Sequence, residues 1–151
     1  MEPVIDGGYY RLLLQDRVLI VELQNTEAMP SINYHALNEV FAAMQTLIAE
    51  RDLIACGWCV LYDFSALTYY EMAAATAFAN FFRWARVNGR LKSAHIFPRN
   101  RNDGQVAMIK RVILSLVTQI SSGEDDHYSA IDRKDALHWF QEVLAKGDDH
   151  A

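Results

Sequence analysis

The most constraining feature of this sequence is a nearly continuous apolar run, Leu53–Phe64, that leads through a short polar segment into a helical pattern. Because apolar and polar residues do not alternate along it, the run is typical of a strand that is buried on both faces of a sheet. The polar segment, Asp63–Glu71, is called the elbow below, and the helix that follows is predicted over Tyr70–Val87. The rest of the chain can be arranged around this strand, elbow and helix.

Strands and helices alternate on both sides of this unit. Two strands, Tyr9–Gln15 and Val18–Gln24, are separated only by Asp16–Arg17, which predicts an antiparallel hairpin. The other predicted elements are a helix over Asn33–Arg51, a strand over Leu91–Phe97, a helix over Asp103–Ser121, a strand over His127–Ile131 and a helix from Asp132 to Lys146. This order predicts an α/β fold in which a mainly parallel mixed sheet of four or five strands carries an N-terminal antiparallel hairpin and about four helices.

Length and charge limit the class of protein. The 151 residues fit one domain, 1–151, with flexible ends at 1–8 and 147–151. A net charge of -5 argues against nucleic acid, since phosphate binding needs clustered Lys and Arg. The chain begins without the basic and apolar regions of a signal peptide, and no apolar run reaches the roughly 20 residues that a bilayer requires. We therefore expect a cytoplasmic domain with no membrane span.

The two cysteines, Cys56 and Cys59, form a Cys-Gly-Trp-Cys sequence. This spacing is typical of redox pairs and zinc sites. A redox pair opens a helix, however, whereas this pair leads into a predicted strand, where side chains three residues apart point to opposite faces. Zinc would need further ligands that no second Cys-x-x-Cys or closely spaced histidine pair supplies. Both cysteines are predicted to be structural, and no metal or other cofactor is expected.

Two segments give this order of elements a recognisable form. One is the strand and elbow, Val60–Thr68, and the other is Ile131–Phe140, in which an Asp and an acidic residue precede Ala-Leu-His-Trp. With the element order, they resemble the SpoIIAA-like fold, which includes STAS domains and the STAS/SEC14-type small bacterial proteins. The resemblance covers about residues 9–145. It implies a non-enzymatic regulatory or binding domain, or, from its SEC14 side, a carrier of a small apolar or lipid-like ligand.

The phosphorylation switch of the STAS family does not carry over to this sequence. In STAS anti-sigma-factor antagonists, an Asp-Ser-Ser-Gly-like sequence at the helix start contains a serine that a partner kinase phosphorylates. Counted from Asp63, the matching positions are Glu71, Met72, Ala73 and Ala74. Neither Met72 nor Ala73 has a hydroxyl group. Thr68 and Thr76 lie nearby, but outside the motif.

Asp63, Ser65 and His95 could meet at the carboxyl ends of adjacent strands, where open α/β sheets bind ligands. This would be the basis of a third candidate function, a hydrolase. The Gly-x-Ser-x-Gly pattern of a nucleophile elbow is absent. The simpler interpretation is that Asp63 and Ser65 accept or donate hydrogen bonds within the elbow and that His95 is packed or half exposed.

Two polar clusters have similarly plain interpretations. Arg99, Arg101 and a helix start at Asn102–Asp103 could bind an anion, although Asp103 would oppose it, and a solvated loop is expected. The acidic segment Glu124–His127 lacks the spacing of a calcium loop, and a polar turn is expected.

The predicted elbow helix is apolar around much of its circumference. It has no charged residue between Met72 and Phe82, although a surface helix normally has one apolar stripe and one charged side. The candidate interaction surface comprises Tyr69, Tyr70, Met72, Phe78 and Trp84, and beside it lie the elbow polar residues Asp63, Ser65, Thr68 and Glu71. If this surface is exposed, it predicts a protein partner or a homodimer; the alternative is that other parts of the chain cover it.

Overall fold

The computed structural model describes residues 3–68, 71–98 and 127–149. These residues contain one six-stranded sheet whose strands lie in the order of the sequence. The strands are β1 (Ile5–Asp6), β2 (Tyr10–Gln15), β3 (Val18–Gln24), β4 (Trp58–Ala66), β5 (Arg90–Ile96) and β6 (His127–Ser129). The first three pair antiparallel and the last four pair parallel. The predicted mainly parallel sheet with an N-terminal hairpin is therefore confirmed.

The helices divide between the two faces of the sheet. They are α1 (Tyr34–Glu50), α2 (Leu53–Cys56), α3 (Ala74–Val87) and α4 (Arg133–Asp149). Buried residues of α1 and α3 share a core with one face of the sheet, and those of α4 share a smaller core with the other face. None of the helices in the described ranges is both long enough and apolar enough to cross a membrane.

The sheet has one strand more than the four or five predicted. The additional strand is β1, in which Ile5 pairs with Leu12 and Asp6 pairs with Arg11. It lies within residues 1–8, which the sequence analysis assigned to a flexible end. Two residues are too few to show the alternation of apolar and polar side chains by which a strand is recognised.

The apolar run that begins at Leu53 is not one strand. Its first residues form the short helix α2, and β4 begins only at Trp58. Gly57 separates them: its φ of 85° lies in the left-handed region, and its N–H donates to the carbonyl of Leu53. Apolar residues in a short run do not distinguish a helical turn from a strand. From Trp58 to Phe64, however, every residue of β4 is buried, as predicted for a central strand.

The starts of α1 and α4 are each capped by the side chain of the residue that precedes the helix. The side chain of Asn33 accepts a hydrogen bond of 2.8 Å from the backbone N–H of Ala36, at the start of α1. Asp132 does the same for Asp135 at the start of α4, also at 2.8 Å. The elbow helix is shorter than predicted, because α3 begins at Ala74 and not at Tyr70. The helix predicted over Asp103–Ser121 lies outside the described residues.

The two cysteines have different environments. Cys56 is exposed at the end of α2, whereas Cys59 is buried in β4, and both are free thiols. Burial raises the pKa of Cys59 to about 11, and a backbone hydrogen bond from Lys92 offsets only part of this effect. Because the thiolate is the reactive form, Cys59 is held in its unreactive state.

We expect one thiol per native chain to react rapidly with a disulfide reagent such as DTNB, and Cys56→Ser to remove that fast phase. Cys59 should react only when the protein is unfolded in guanidinium, where both thiols become equivalent. Two thiols reacting at equal rates in the native protein would contradict this assignment.

Candidate functional site

The elbow leaves the sheet at the carboxyl end of β4. Asp63 is still buried there, with 8% of its surface exposed, and the next polar residue, Ser65, is exposed. Thr68 and Glu71 are the remaining described polar residues of the elbow. Tyr69 and Tyr70 of the predicted surface lie outside the described residues.

Three charged side chains form a row across the sheet beside the elbow. Arg11 on β2 pairs with Glu22 on β3, and Glu22 pairs with Asp63 on β4. Directly paired residues project on the same face of a sheet, which here is the face covered by α4. Arg11 donates from Nε and Nη2 to Oε2 of Glu22, at 3.1 and 2.7 Å.

Arg133, the first residue of α4, contacts two members of this row from the helix that covers this face of the sheet. Its Nη2 donates to Oε1 of Glu22 and to Oδ2 of Asp63, each at 2.8 Å. Burial lowers the pKa of Arg133, but its hydrogen bonds to Asp63 and Glu22 outweigh burial and raise its pKa above the ordinary value. The guanidinium therefore stays charged between the two carboxylates.

The second oxygen of Asp63 holds the elbow itself. Its Oδ1 accepts hydrogen bonds from the backbone N–H of Ser65, at 3.1 Å, and from the Ser65 hydroxyl, at 2.6 Å. This is the local arrangement expected for Asp and Ser in a turn. We call Arg11, Glu22, Asp63 and Arg133 the charged row, to which Ser65 is bonded through Asp63.

A loop braces the other side of the elbow. The side-chain oxygen of Asn25 accepts from the backbone N–H of Thr68, at 2.7 Å, and from its hydroxyl, at 2.9 Å. Further along, the N–H of Glu71 donates to the carbonyl of Ile32 at 2.8 Å. The backbone is therefore held by Asn25 at Thr68 and by Ile32 at Glu71.

A small exposed surface follows the elbow, just before α3. Glu71, Met72 and Ala73 are all exposed, and Met72 has 55% of its surface accessible. Met72 is the only large apolar residue exposed to this extent between β4 and α3 among the described residues. An isolated exposed methionine is common on protein surfaces. Met72 differs in that it follows a segment whose backbone is hydrogen-bonded to other parts of the chain.

The aromatic residues of α3 are mostly core, and the inclusion of Phe78 in the predicted surface is wrong. Phe78 is only 3% exposed, and its ring centroid lies 5.0 Å from that of Tyr62. Phe81 stacks on Phe41 of α1, with centroids 4.5 Å apart. Trp84 is half-buried against Phe81. The helix is apolar around a wide arc because it packs against both the sheet and α1.

Apart from Val87, its last residue, the exposed side of α3 is consequently polar, with Thr76, Asn80, Arg83 and Arg86. An open groove between α1 and α3 is lined by amide and small side chains together with Phe41, Phe81 and Trp84. The aromatic side chains of α3 therefore pack chiefly against one another and against Phe41.

His95 does not join Asp63 and Ser65, and the predicted hydrolase constellation is wrong. On β5, His95 pairs with Tyr62, whereas Ile96 pairs with Asp63. His95 therefore projects towards the α1 and α3 face and Asp63 towards the α4 face. It is fully buried, where the sequence analysis expected it to be packed or half exposed.

His95 belongs instead to a second polar cluster, which the sequence analysis missed. Its Nδ1 contacts Nε2 of His127, and Nδ1 of His127 lies 2.7 Å from the hydroxyl of Ser93. The guanidinium of Arg90 lies 4.6 Å from the ring centroid of Phe82 at the edge of this group. The available signal was the spacing of Ser93 and His95, two residues apart on the predicted strand Leu91–Phe97. If one face of that strand is buried, its polar side chains need partners.

The chemistry of this cluster is that of a buried network. Burial, then the charges of His95 and Arg90, lower the pKa of His127 to about 3, so its imidazole is neutral near pH 7. A histidine with so low a pKa is a weak general base, and Ser93 has no exposed surface. Across the described ranges, no group of three or more His, Cys, Asp or Glu is placed to hold a metal ion. Arg99, Arg101, Asn102–Asp103 and Glu124–Asp126 lie outside those ranges.

Comparison with known proteins identifies the architecture. No family model matches the sequence, and no curated protein matches it. Among solved structures, a serine-to-glutamate variant of RsbS from Moorella thermoacetica is similar to 91% of this chain and to 99% of its own, with a TM-score of 0.57 and 14% identity. The fold is STAS-like. At this identity the likeness concerns the fold alone.

The positions that correspond to the STAS motif lie at the end of the elbow and the start of α3. Counted from Asp63, the positions matched to the STAS motif are Glu71, Met72, Ala73 and Ala74. The first three are exposed before α3, whereas Ala74 is buried as the first residue of that helix. These exposed positions therefore follow closely on the part of the elbow that Asn25 holds at Thr68.

Proposed function

We propose that this chain is a regulatory protein-binding domain that uses the surface formed by Glu71, Met72 and Ala73 and lacks a phosphorylatable serine there. The observation that carries the proposal is the exposed Met72, at the first of the two positions, Met72 and Ala73, that match the serines of the STAS motif. A methionine cannot accept a phosphate, but its flexible apolar side chain is suited to protein contacts.

The geometry of the elbow supports binding by a preformed surface. Asp63 holds Ser65 from one side and Asn25 holds Thr68 from the other. A segment that is already ordered loses little further conformational entropy when a partner binds. The domain therefore acts by presenting a fixed shape, without catalysis and without a cofactor, in the cytoplasm.

The partner is a different protein or a second copy of this chain. A symmetric dimer would place the same patch of both chains in contact, with Met72 or the half-buried Trp84 at its centre. Methionine and aromatic residues are enriched at such contacts.

The test is to introduce a charge at Met72. We expect Met72→Glu to weaken self-association, measured by sedimentation, or the recovery of a specific partner that co-purifies from cells expressing the protein, by at least tenfold. A desolvated carboxylate without a partner costs at least the 1.4 kcal/mol that corresponds to this factor. The matched control is Val87→Glu, which places the same charge at an exposed apolar residue at the other end of α3, where 79% of the residue is accessible.

Met72→Glu and Val87→Glu should both fold, because both side chains lie at the surface. Equal behaviour of Met72→Glu and the unmodified protein in both assays would refute the proposal. A small apolar molecule retained by the protein in native mass spectrometry would point instead to a ligand carrier.

A further inference from the structure

Arg133 joins the last helix of the fold to the elbow, although 70 residues separate it in sequence from Asp63. It is the first residue of α4, and the capping bonds of Asp132 and Asp135 fix the backbone of that turn. Its guanidinium lies over β3 and β4, where it bridges Glu22 and Asp63. The position of α4 and the position of the Asp63 carboxylate are therefore set by the same side chain.

Asp63 divides its two oxygens between these neighbours. Oδ2 accepts from Arg133, and Oδ1 accepts both hydrogen bonds from Ser65. Because a largely buried carboxylate is stable only when it is paired and hydrogen-bonded, the carboxylate without Arg133 would turn towards water. Turning the carboxylate moves both oxygens, so the bonds to Ser65 would be disturbed as well.

The sheet offers little resistance to such a movement at this point. The pairing of β3 with β4 is irregular between Glu22 and Gln24, immediately beside Asp63. Ser65 and Ala66, the last residues of β4, are exposed. A bulge leaves ladder positions unpaired, so the side-chain bonds of Asp63 contribute more to the local geometry here than they would in a regular ladder.

We propose that Arg133 is a positioning residue for the elbow, which makes the shape of the binding surface depend on how the first turn of α4 is seated. The inference rests on the proposed function, since it assigns a control element to the same surface. It implies that a partner or a covalent change that draws Arg133 away from the charged row loosens Ser65 and the residues that follow it.

The experiment is amide hydrogen exchange, followed by NMR, on the unmodified protein and on Arg133→Met. We expect the Ser65 amide to exchange about tenfold faster in the variant, the factor that corresponds to the loss of one net hydrogen bond. Amides of β2 and of the centre of β3 should keep their relative rates. Arg133→Lys, which retains the charge but not the planar fork, should restore part of the protection.

Lys134→Met is the matched control, because Lys134 is an exposed cation in the same turn and takes no part in the ion pairs described for Glu22 and Asp63. This variant should exchange like the unmodified protein at Ser65. Uniform acceleration of all amides in Arg133→Met, or no change at Ser65, would show that Arg133 stabilises the fold without positioning the elbow, and would overturn the inference.

These measurements use the protein alone, so they are independent of whether the elbow binds a partner. If Ser65 loses protection in Arg133→Met while Met72→Glu has no effect on any association, the coupling holds and the proposed function fails. If Met72→Glu abolishes association while Ser65 keeps its protection in Arg133→Met, the proposed function holds and the coupling fails.

Discussion

Phe78→Ala is expected to lower the free energy of unfolding by about 3–5 kcal/mol, the range observed when a buried phenylalanine is truncated. Phe78 is 3% exposed and its ring meets the rings of Phe41, Tyr62 and Phe82. The truncated side chain would leave a cavity between α1, α3 and β4 that these rigid rings cannot fill. Urea denaturation monitored by circular dichroism gives the difference directly.

The matched control for this result is Met72→Ala. Met72 precedes the same helix but is exposed, and surface substitutions of this kind change stability by only about 0.5 kcal/mol or less. The two variants thereby distinguish a core residue, Phe78, from a surface residue, Met72. The sequence had placed both in the same predicted interface. A loss below about 1 kcal/mol for Phe78→Ala, or an equal loss for both variants, would contradict the packing described for α3.

There is a physical reason why the sequence alone did not distinguish buried Phe78 from exposed Met72. The sequence around α3 correctly indicates a helix with little charge, in which the structure buries Ala74, Phe78, Phe81, Phe82 and Ala85. What it does not show is the direction of the neighbouring helix. Because α1 and the sheet meet α3 from different sides, the buried arc is wider than one stripe, and only contacts between distant segments define it.

The elbow shows the same division between local and distant information. The bonds between Asp63 and Ser65 follow from the tendency of these residue types to form turns, and they were predicted. The contact between Asp63 and Arg133 was not predicted. Nothing in the sequence around Asp132 indicates which strands the helix that starts there will cover. Likewise, β1 forms because it pairs with β2, and α2 ends at Gly57 because that residue adopts a left-handed conformation. Neither feature follows from the pattern of apolar residues.

Acid is expected to destabilise the protein at a pH where its carboxylates are still ionised. Burial, assisted by His95 and Arg90, lowers the pKa of His127 to about 3 in the folded state, against an ordinary value of 6.5. The unfolded chain therefore binds a proton at His127 below pH 6.5, and the folded chain does not. The stability that His127 contributes is complete above that pH and is lost as the pH falls from 6.5 towards 3, at up to about 1.4 kcal/mol per pH unit.

The measurement is the free energy of unfolding in urea at pH 7, 6 and 5, a range chosen above the usual titration of carboxylates. The unmodified protein should lose about 2 kcal/mol between pH 7 and pH 5 through His127. His127→Asn keeps a side chain that can bond Ser93 but cannot take up a proton, so it should reduce this loss whatever its effect on stability at pH 7. His138→Asn, at an exposed position of α4, serves as the control.

A pH dependence that is unchanged in His127→Asn would mean that the folded protein accommodates a charged imidazole beside Arg90 and His95. That outcome would contradict the geometry of the cluster, in which His127 lies between the hydroxyl of Ser93 and the ring of His95. The expected outcome has a structural consequence, since β6 is a strand of only three residues at the edge of the sheet and leads directly into α4. The edge strand that carries His127 is therefore the part of the sheet that protonation should detach first, and with it the turn from which Arg133 reaches the elbow.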